Sequence, residues 1–180
     1  PDEFDDLAAV ARGFDSTDFY GMGMMPAGSG TVGFLWQFRH QLPRVAGSNY
    51  GLFGVVDVSL AYQASPRACW QQVPGRPDFI RHEDPPFGQG GVYTASAPIE
   101  VGDETRLYFS ASTRPHAWQL DDNFKPDPER LRTLARQGLC RIGYAHWPRG
   151  RLFGFRSESG GTLDLNLGRP QPGSRLVLNY

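Results

Sequence analysis

Lysine is almost missing from this chain: of the 18 basic residues only Lys125 is a lysine, and the arginines stand singly rather than in runs. With a net charge of −1 and no basic patch, the chain offers nothing to hold a phosphate backbone, and no nucleic-acid partner is expected. Cysteine stops at Cys69 and Cys140. Two residues make neither a disulfide framework nor a zinc site alone, so two separate buried or half-buried thiols are expected. No apolar stretch reaches the roughly 18 residues of a membrane span, so no membrane partner is expected. No signal-peptide pattern is present, and the chain opens Pro1-Asp2-Glu3 without Met, as an internal or processed piece does. No H-E-x-x-H, G-x-S-x-G or P-loop lysine occurs.

What is abundant points one way. Aromatic residues reach 13%, and the 22 glycines and 15 prolines are spread between apolar runs. Aromatic and β-branched residues favour strands, and singly placed Gly and Pro mark turns. The expectation is an all-β domain, with length enough for one sizeable core.

Gly28, Gly30 and Gly33 spell G-x-G-x-x-G within "AGSGTVGFLWQF". That fingerprint binds a dinucleotide only where a helix opens at the third glycine. Here "FLWQF" follows, which is strand-like, so the glycines predict a hairpin turn and no nucleotide site.

The chain also carries a weak internal duplication. "DFYGMGMM", "TVGFLWQF" and "VDVSLAYQ" are matched in order by "GGVYTASAPI", "TRLYFSAS" and "RIGYAHW". Tyr20 aligns with Tyr93, Thr31 with Thr105, and Leu60-Ala61-Tyr62 with Ile142-Gly143-Tyr144. Each copy reads as four strands, the last near Trp70–Val73 and Leu152–Phe155, with turns at Ala27–Gly30 and Val101–Glu104. A tandem four-stranded meander is the unit of a β-propeller. The expected fold is therefore a partial β-propeller with two four-stranded antiparallel blades, one short inserted helix and extra C-terminal strands. Residues 1–14 would be a lead-in, 15–160 the two blades (about 15–80 and 88–158), and 161–180 strands of a further blade or a sandwich. The inserted helix is "DPERLRTLARQG", with Asp127 as N-cap, Pro128 first and Gly138 as stop. A second, "DDLAAVARG", stops at Gly13.

The succession "DFYGMGMM", "VDVSLAYQAS", "GGVYTASAPIEVGDETRLYFSA", "RIGYAH", "GTLDLNLGRP" and "GSRLVLN" resembles five-bladed β-propeller glycoside hydrolase-like proteins of the invertase/levansucrase and arabinanase type. The resemblance runs from Asp15 onward and rests on scaffold rather than catalytic signatures. It implies carbohydrate as the partner and hydrolysis in a central funnel by two or three carboxylates from different blades; it leaves the compartment open, a secreted or periplasmic one being compatible with it. No cofactor or metal is expected. One carboxyl must be protonated and one ionised. The Asn-Asp-Pro and Glu-Cys motifs of such enzymes are absent, and Gln89 stands where relatives often carry Asp. A non-catalytic glycan-binding or structural module is the alternative.

Asp18, at the mouth of the first inner strand, is the candidate catalytic carboxylate; a turn-capping Asp is the competing account. Tyr20 and Tyr93 are candidate stacking platforms for sugar rings, against plain burial between blades. Arg39 with His40 and Arg114 with His116 end equivalent strands and are expected to form a polar rim that binds substrate. Gln89 can hydrogen-bond a sugar hydroxyl. The acidic loops "RHEDPP" and "LDDN" read as exposed loops rather than calcium sites.

Overall fold

The computed structural model of the chain describes residues 1–41, 51–121, 123–152, 160, 162, 171–173 and 175. Of the strands expected at 152–155, 162–167 and 175–179, all but residues 152, 162 and 175 lie outside the described residues. Helix α1 (Glu3–Ala11) leads into strands β1 (Thr17–Ala27), β2 (Gly30–His40) and β3 (Gly54–Gln63), then the short β4 (Gln71–Gln72) and β5 (Asp78–Ile80). Strands β6 (Gly91–Thr94), β7 (Ile99–Val101) and β8 (Glu104–Ser112) follow, then helix α2 (Pro128–Gln137) and β9 (Cys140–Pro148). All nine strands belong to one open, mixed sheet. The all-β expectation holds, with two short helices.

The first meander is β1–β2–β3, antiparallel throughout, with β4 and β5 added to β3. The second is β6 and β7 on one edge of β8, with β9 on the other. A single parallel pairing, Val56 with Gly91, joins them. Both begin with the same hairpin: Ala27 pairs with Gly30 and Val101 with Glu104. Each turn uses a glycine at φ 60°, Gly28 and Gly102. Positive φ at the first turn position is what a two-residue hairpin requires and what a side chain resists. Gly28 thus serves a turn, as its sequence context predicts.

The third strands depart from the sequence alignment by two residues. Phe34 faces Leu60 in the first meander, and Tyr108 at the equivalent place faces Tyr144, two residues beyond the expected Ile142. Side chains alternate with period two, so an even shift keeps the same residues on the same face.

The meanders pack face to face. Phe34 and Val58 from the first meet Val92, Leu107, Phe109 and Trp147 from the second, with Ile80 and Ala111 completing the cluster. Removing each large apolar side chain from water contributes about 1.5–3 kcal/mol. The opposite face of the first meander, carrying Leu35, Gln37, Arg39 and Asp57, lies partly under α1, whose Asp5 and Asp6 meet Thr17.

Both helices start on aspartate caps. Asp2 accepts from the backbone N–H of Phe4 and Asp5, and the Asp5 carboxylate in turn accepts from the Asp2 backbone N–H. Asp127 accepts from Glu129 and Arg130, with Pro128 at the first position and Gly138 as the stop. Cys69 and Cys140 are both exposed, not buried as expected. Cys69 lies in the loop before β4, and Cys140 is the first residue of β9.

Candidate functional site

Alternation along β2 aims Trp36, Phe38 and His40 to one side and Gln37 and Arg39 to the other. Opposite them on β1, Asp18 pairs with Phe38 and Gly21 with Trp36, and Tyr20 is the extra residue of a β-bulge. A bulge re-aims one side chain while the ladder continues on both sides. This one turns Tyr20 toward Phe38, with ring centroids 5.7 Å apart. Gly21 is needed beside it, since a Cβ there would sit 2.6 Å from the Trp36 ring.

Two residues of the second meander complete the cluster. Tyr93 on β6 lies 6.3 Å from Tyr20 and packs edge-on to Trp36. The Trp36 indole N–H in turn donates to Thr94 Oγ1 at 2.9 Å. His116, in the segment after β8, lies 6.0 Å from Tyr20 and 5.2 Å from Phe38. Its backbone N–H donates to the Gly54 carbonyl, and its Nδ1 lies 2.6 Å from the Leu52 carbonyl oxygen. A carbonyl only accepts, so Nδ1 carries the proton.

Asp18 Oδ2 lies 2.7 Å from His40 Nε2. The carboxylate is 54% exposed, whereas His40 is buried and its Nδ1 has no hydrogen-bond partner among the described residues. Asp15 adjoins the pair through its backbone N–H, which donates to the His40 carbonyl; its Oδ2 is shielded and unpartnered among the described residues. Burial pushes the Tyr93 hydroxyl up to about 12, with Tyr20 and Cys140 acting in the same direction. Tyr93 is therefore a neutral phenol at physiological pH, suited to stacking and hydrogen bonding and unsuited to accepting a proton.

The structure thus brings together Asp18, Tyr20, His40, Tyr93 and His116. It does not bring the other three. Arg39 is on the far face of β2, because adjacent strand residues point oppositely, so a rim holding both Arg39 and His40 cannot form. Arg114 stacks its guanidinium on Trp118, 4.8 Å from the ring, with Arg130 of α2 at 5.7 Å from the same ring. Gln89 is an exposed residue in the loop before β6, held through its backbone N–H to the Ser112 carbonyl.

Arg39 instead enters a buried charge network that sequence reasoning missed. Asp57, fully buried, accepts from Arg39 Nε and Arg12 Nη1 on Oδ2, both at 2.8 Å. Its Oδ1 takes the His82 backbone N–H and lies 2.8 Å from His82 Nδ1. Asp78 accepts from the same two arginines. Burial pushes the Asp57 carboxyl up; the hydrogen bonds from the His82 ring and backbone, with the charges of His82 and Arg12, outweigh it and hold it well below the usual carboxylate range. The available signal was a charged residue at a strand centre in "VVDVSL", but its partners lie 18 to 45 residues away in sequence. Every hydrogen-bonding position of Asp57 is taken, so this network is a tie between α1 and the sheet rather than a place for a ligand.

Among the described residues no group of three or more His, Cys, Asp and Glu side chains is arranged to hold a metal ion. No helix among them is long and apolar enough to cross a membrane. No family model matches the chain, and no curated protein or solved structure matches it.

Proposed function

We propose that this chain is a carbohydrate-binding part of a propeller-like protein, and that the Tyr20 cluster is where the sugar docks. The observation that carries the reading is an exposed tyrosine on β1, Tyr20 (52% exposed), met from the second meander by Tyr93 and His116, with the exposed Asp18 carboxylate on the same strand. A pyranose or furanose ring offers an apolar face to an aromatic ring and hydroxyls to a carboxylate and an imidazole. Tyr20 supplies the platform, Tyr93 and Phe38 brace it, and Asp18 and His116 are the polar groups beside it. The likeness of the chain's wording to glycoside hydrolase-like propellers supports the same ligand class.

Binding is favoured over hydrolysis because cleavage needs two carboxyl groups across the scissile bond. Among the described residues Asp18 is the one carboxylate with a side-chain contact in the cluster, and Asp57 and Asp78 are locked to arginines on the other face. Asp15 keeps the hydrolase as a second reading, being a further carboxyl beside His40.

Calorimetric titration with a panel of soluble fructans and arabinans tests the proposal. Tyr20→Ala is expected to weaken binding on the order of tenfold, equivalent to about 1.4 kcal/mol, while controls outside the cluster such as Gln89→Ala leave it unchanged. No binding by the native chain to any member of the panel, or unaltered affinity in Tyr20→Ala, overturns it. Reducing-sugar release that disappears in Asp18→Asn would establish the hydrolase reading instead.

A further inference from the structure

The groups that meet around Tyr20 are electron-rich, and among the described residues none of them is an arginine or a lysine. Asp18 brings the carboxylate. Its Oδ2 faces His40 Nε2 at 2.7 Å, and its Oδ1 has no hydrogen-bond partner among the described residues. The His40 Nδ1 has no acceptor there either, so the proton of the neutral ring sits on Nε2 and points at Asp18. A buried imidazole thus holds one carboxylate oxygen and leaves the other for a ligand. His116 carries the opposite tautomer: its Nδ1–H donates to the Leu52 carbonyl, which leaves Nε2 as a lone pair.

The rings act in the same sense. Tyr20 packs with Phe38 and Tyr93, and the face of an aromatic ring is the negative end of its quadrupole. The nearest guanidinium groups are engaged elsewhere. Arg39 lies on the far face of β2, tied to Asp57 and Asp78, and Arg114 is laid over Trp118. A site for a carboxylate or sulfate is built from fork-shaped cationic donors. This one presents a carboxylate oxygen, a lone pair and an exposed tyrosine face, which together suit a cation.

We propose that the Tyr20 site takes a sugar bearing a protonated amine, a hexosamine unit of a de-N-acetylated glycan, in preference to a neutral sugar and to the exclusion of uronates. The ammonium lies over the Tyr20 ring against the free oxygen of Asp18, and a hydroxyl of the same unit donates to His116 Nε2. The inference rests on the carbohydrate reading and adds the charge of the ligand to it. Neutral sugars keep the stacking and hydroxyl contacts. At exposed positions a cation–π contact and an ion pair are each modest, so the amine adds on the order of tenfold in affinity.

Calorimetric titration with β-1,4-linked oligomers of equal length decides it, in a mildly acid buffer that keeps the amine protonated. Glucosamine and glucose oligomers differ only in an ammonium or a hydroxyl at C2, and a galacturonate oligomer is the anionic probe. The native chain is expected to bind the glucosamine oligomer about tenfold more tightly than the glucose oligomer, with a preference that shrinks as salt is added. No binding of the galacturonate is expected. Asp18→Asn keeps an oxygen for His40 and removes the charge, and is expected to bring the glucosamine oligomer close to the glucose oligomer. The site is exposed, and unchanged far-ultraviolet circular dichroism checks that the variant folds. Equal affinity for the two oligomers, tighter binding of the galacturonate, or a preference that survives in Asp18→Asn overturns the proposal. Binding of fructans or arabinans with none of the glucosamine oligomer overturns it too and leaves the carbohydrate reading standing. Binding of tetramethylammonium as tight as that of the glucosamine oligomer overturns both, since no sugar ring is then needed, as does binding of no sugar at all.

Discussion

Replacing Asp57 by asparagine is expected to lower the unfolding free energy by about 3–5 kcal/mol, the usual cost of breaking a buried ion pair from one side. Asp57 is an acceptor on both oxygens and faces four donors: two from His82 and one each from Arg12 and Arg39. An asparagine amide turned either way sets its own N–H groups against donors. It also leaves Arg39, only 3% exposed on its side chain, with Asp78 as the sole carboxylate. Urea denaturation at neutral pH measures the loss. A change below about 0.5 kcal/mol, within the ordinary range for surface substitutions, would mean that the network is not what fastens α1 to the sheet. The double variant Arg39→Met with Asp57→Leu is expected to recover much of the loss, because an apolar pair leaves no buried charge unmatched.

The same residue fixes the sign of the acid response. Its carboxyl titrates below the ordinary 3.8 in the folded chain, so as pH falls the unfolded chain binds the proton first. The stabilisation is complete above the ordinary carboxylate range and is lost progressively as pH falls through about 4 toward the depressed native value. In Asp57→Asn that slope is expected to flatten. A remainder persists from Asp2, held low by its hydrogen bonds with Arg76, and from Asp127, held low by the backbone N–H groups of Arg130 and Glu129. An acid limb unchanged in the variant would remove Asp57 as its source.

Gly90→Ala is expected to be the most disruptive substitution that adds a single methyl group, at about 3 kcal/mol or more, the upper range for overpacking. A Cβ on Gly90 would overlap the Arg114 carbonyl oxygen, which is backbone and cannot rotate away. Gly90 also accepts from Val56 N–H and donates to the Ser112 carbonyl, both at 3.1 Å. Moving it therefore strains the seam between the meanders and displaces the segment that carries His116. The neighbouring Gln89→Ala, at an exposed position, is expected to stay within about 0.5 kcal/mol. Comparison of the two thermal transitions isolates the methyl clash, and equal melting of both variants would refute it. A proton spectrum of Gly90→Ala should also show shifted His116 and Tyr20 ring resonances.

Much of the architecture was legible because its causes are local. The Gly28 and Gly102 turns follow from which residue tolerates positive φ, and the α2 boundaries from Asp127, Pro128 and Gly138. Alternating apolar residues announced β3 and β9, and aromatic and β-branched residues announced β2 and β8. The duplication told which strands are equivalent, and Tyr20 and Tyr93 were paired by it before their rings were seen 6.3 Å apart. The candidate site was legible in part. Asp18, Tyr20, His40, Tyr93 and His116 do gather, but Trp36 and Phe38, which support them, had read as ordinary strand residues. Arg39 was set beside His40 although adjacent residues of a strand cannot share a face. Arg114 was set beside His116, when the Trp118 ring gave its guanidinium a nearer partner.

What the order of residues decided alone is what acts over a few positions: turn sites, helix caps, strand faces and the repeat. What needed the folded chain is everything set by partners distant in sequence. The bulge at Tyr20 depends on the Trp36 ring filling the space over Gly21. The Asp57 network draws on α1, β2, β3 and β5 together, and each of its charges is tolerable in the interior only because the others arrive. The difference between Phe34, fully buried, and Tyr108, 37% exposed at the equivalent hairpin position, is visible only once the meanders are stacked, because it depends on what packs over each.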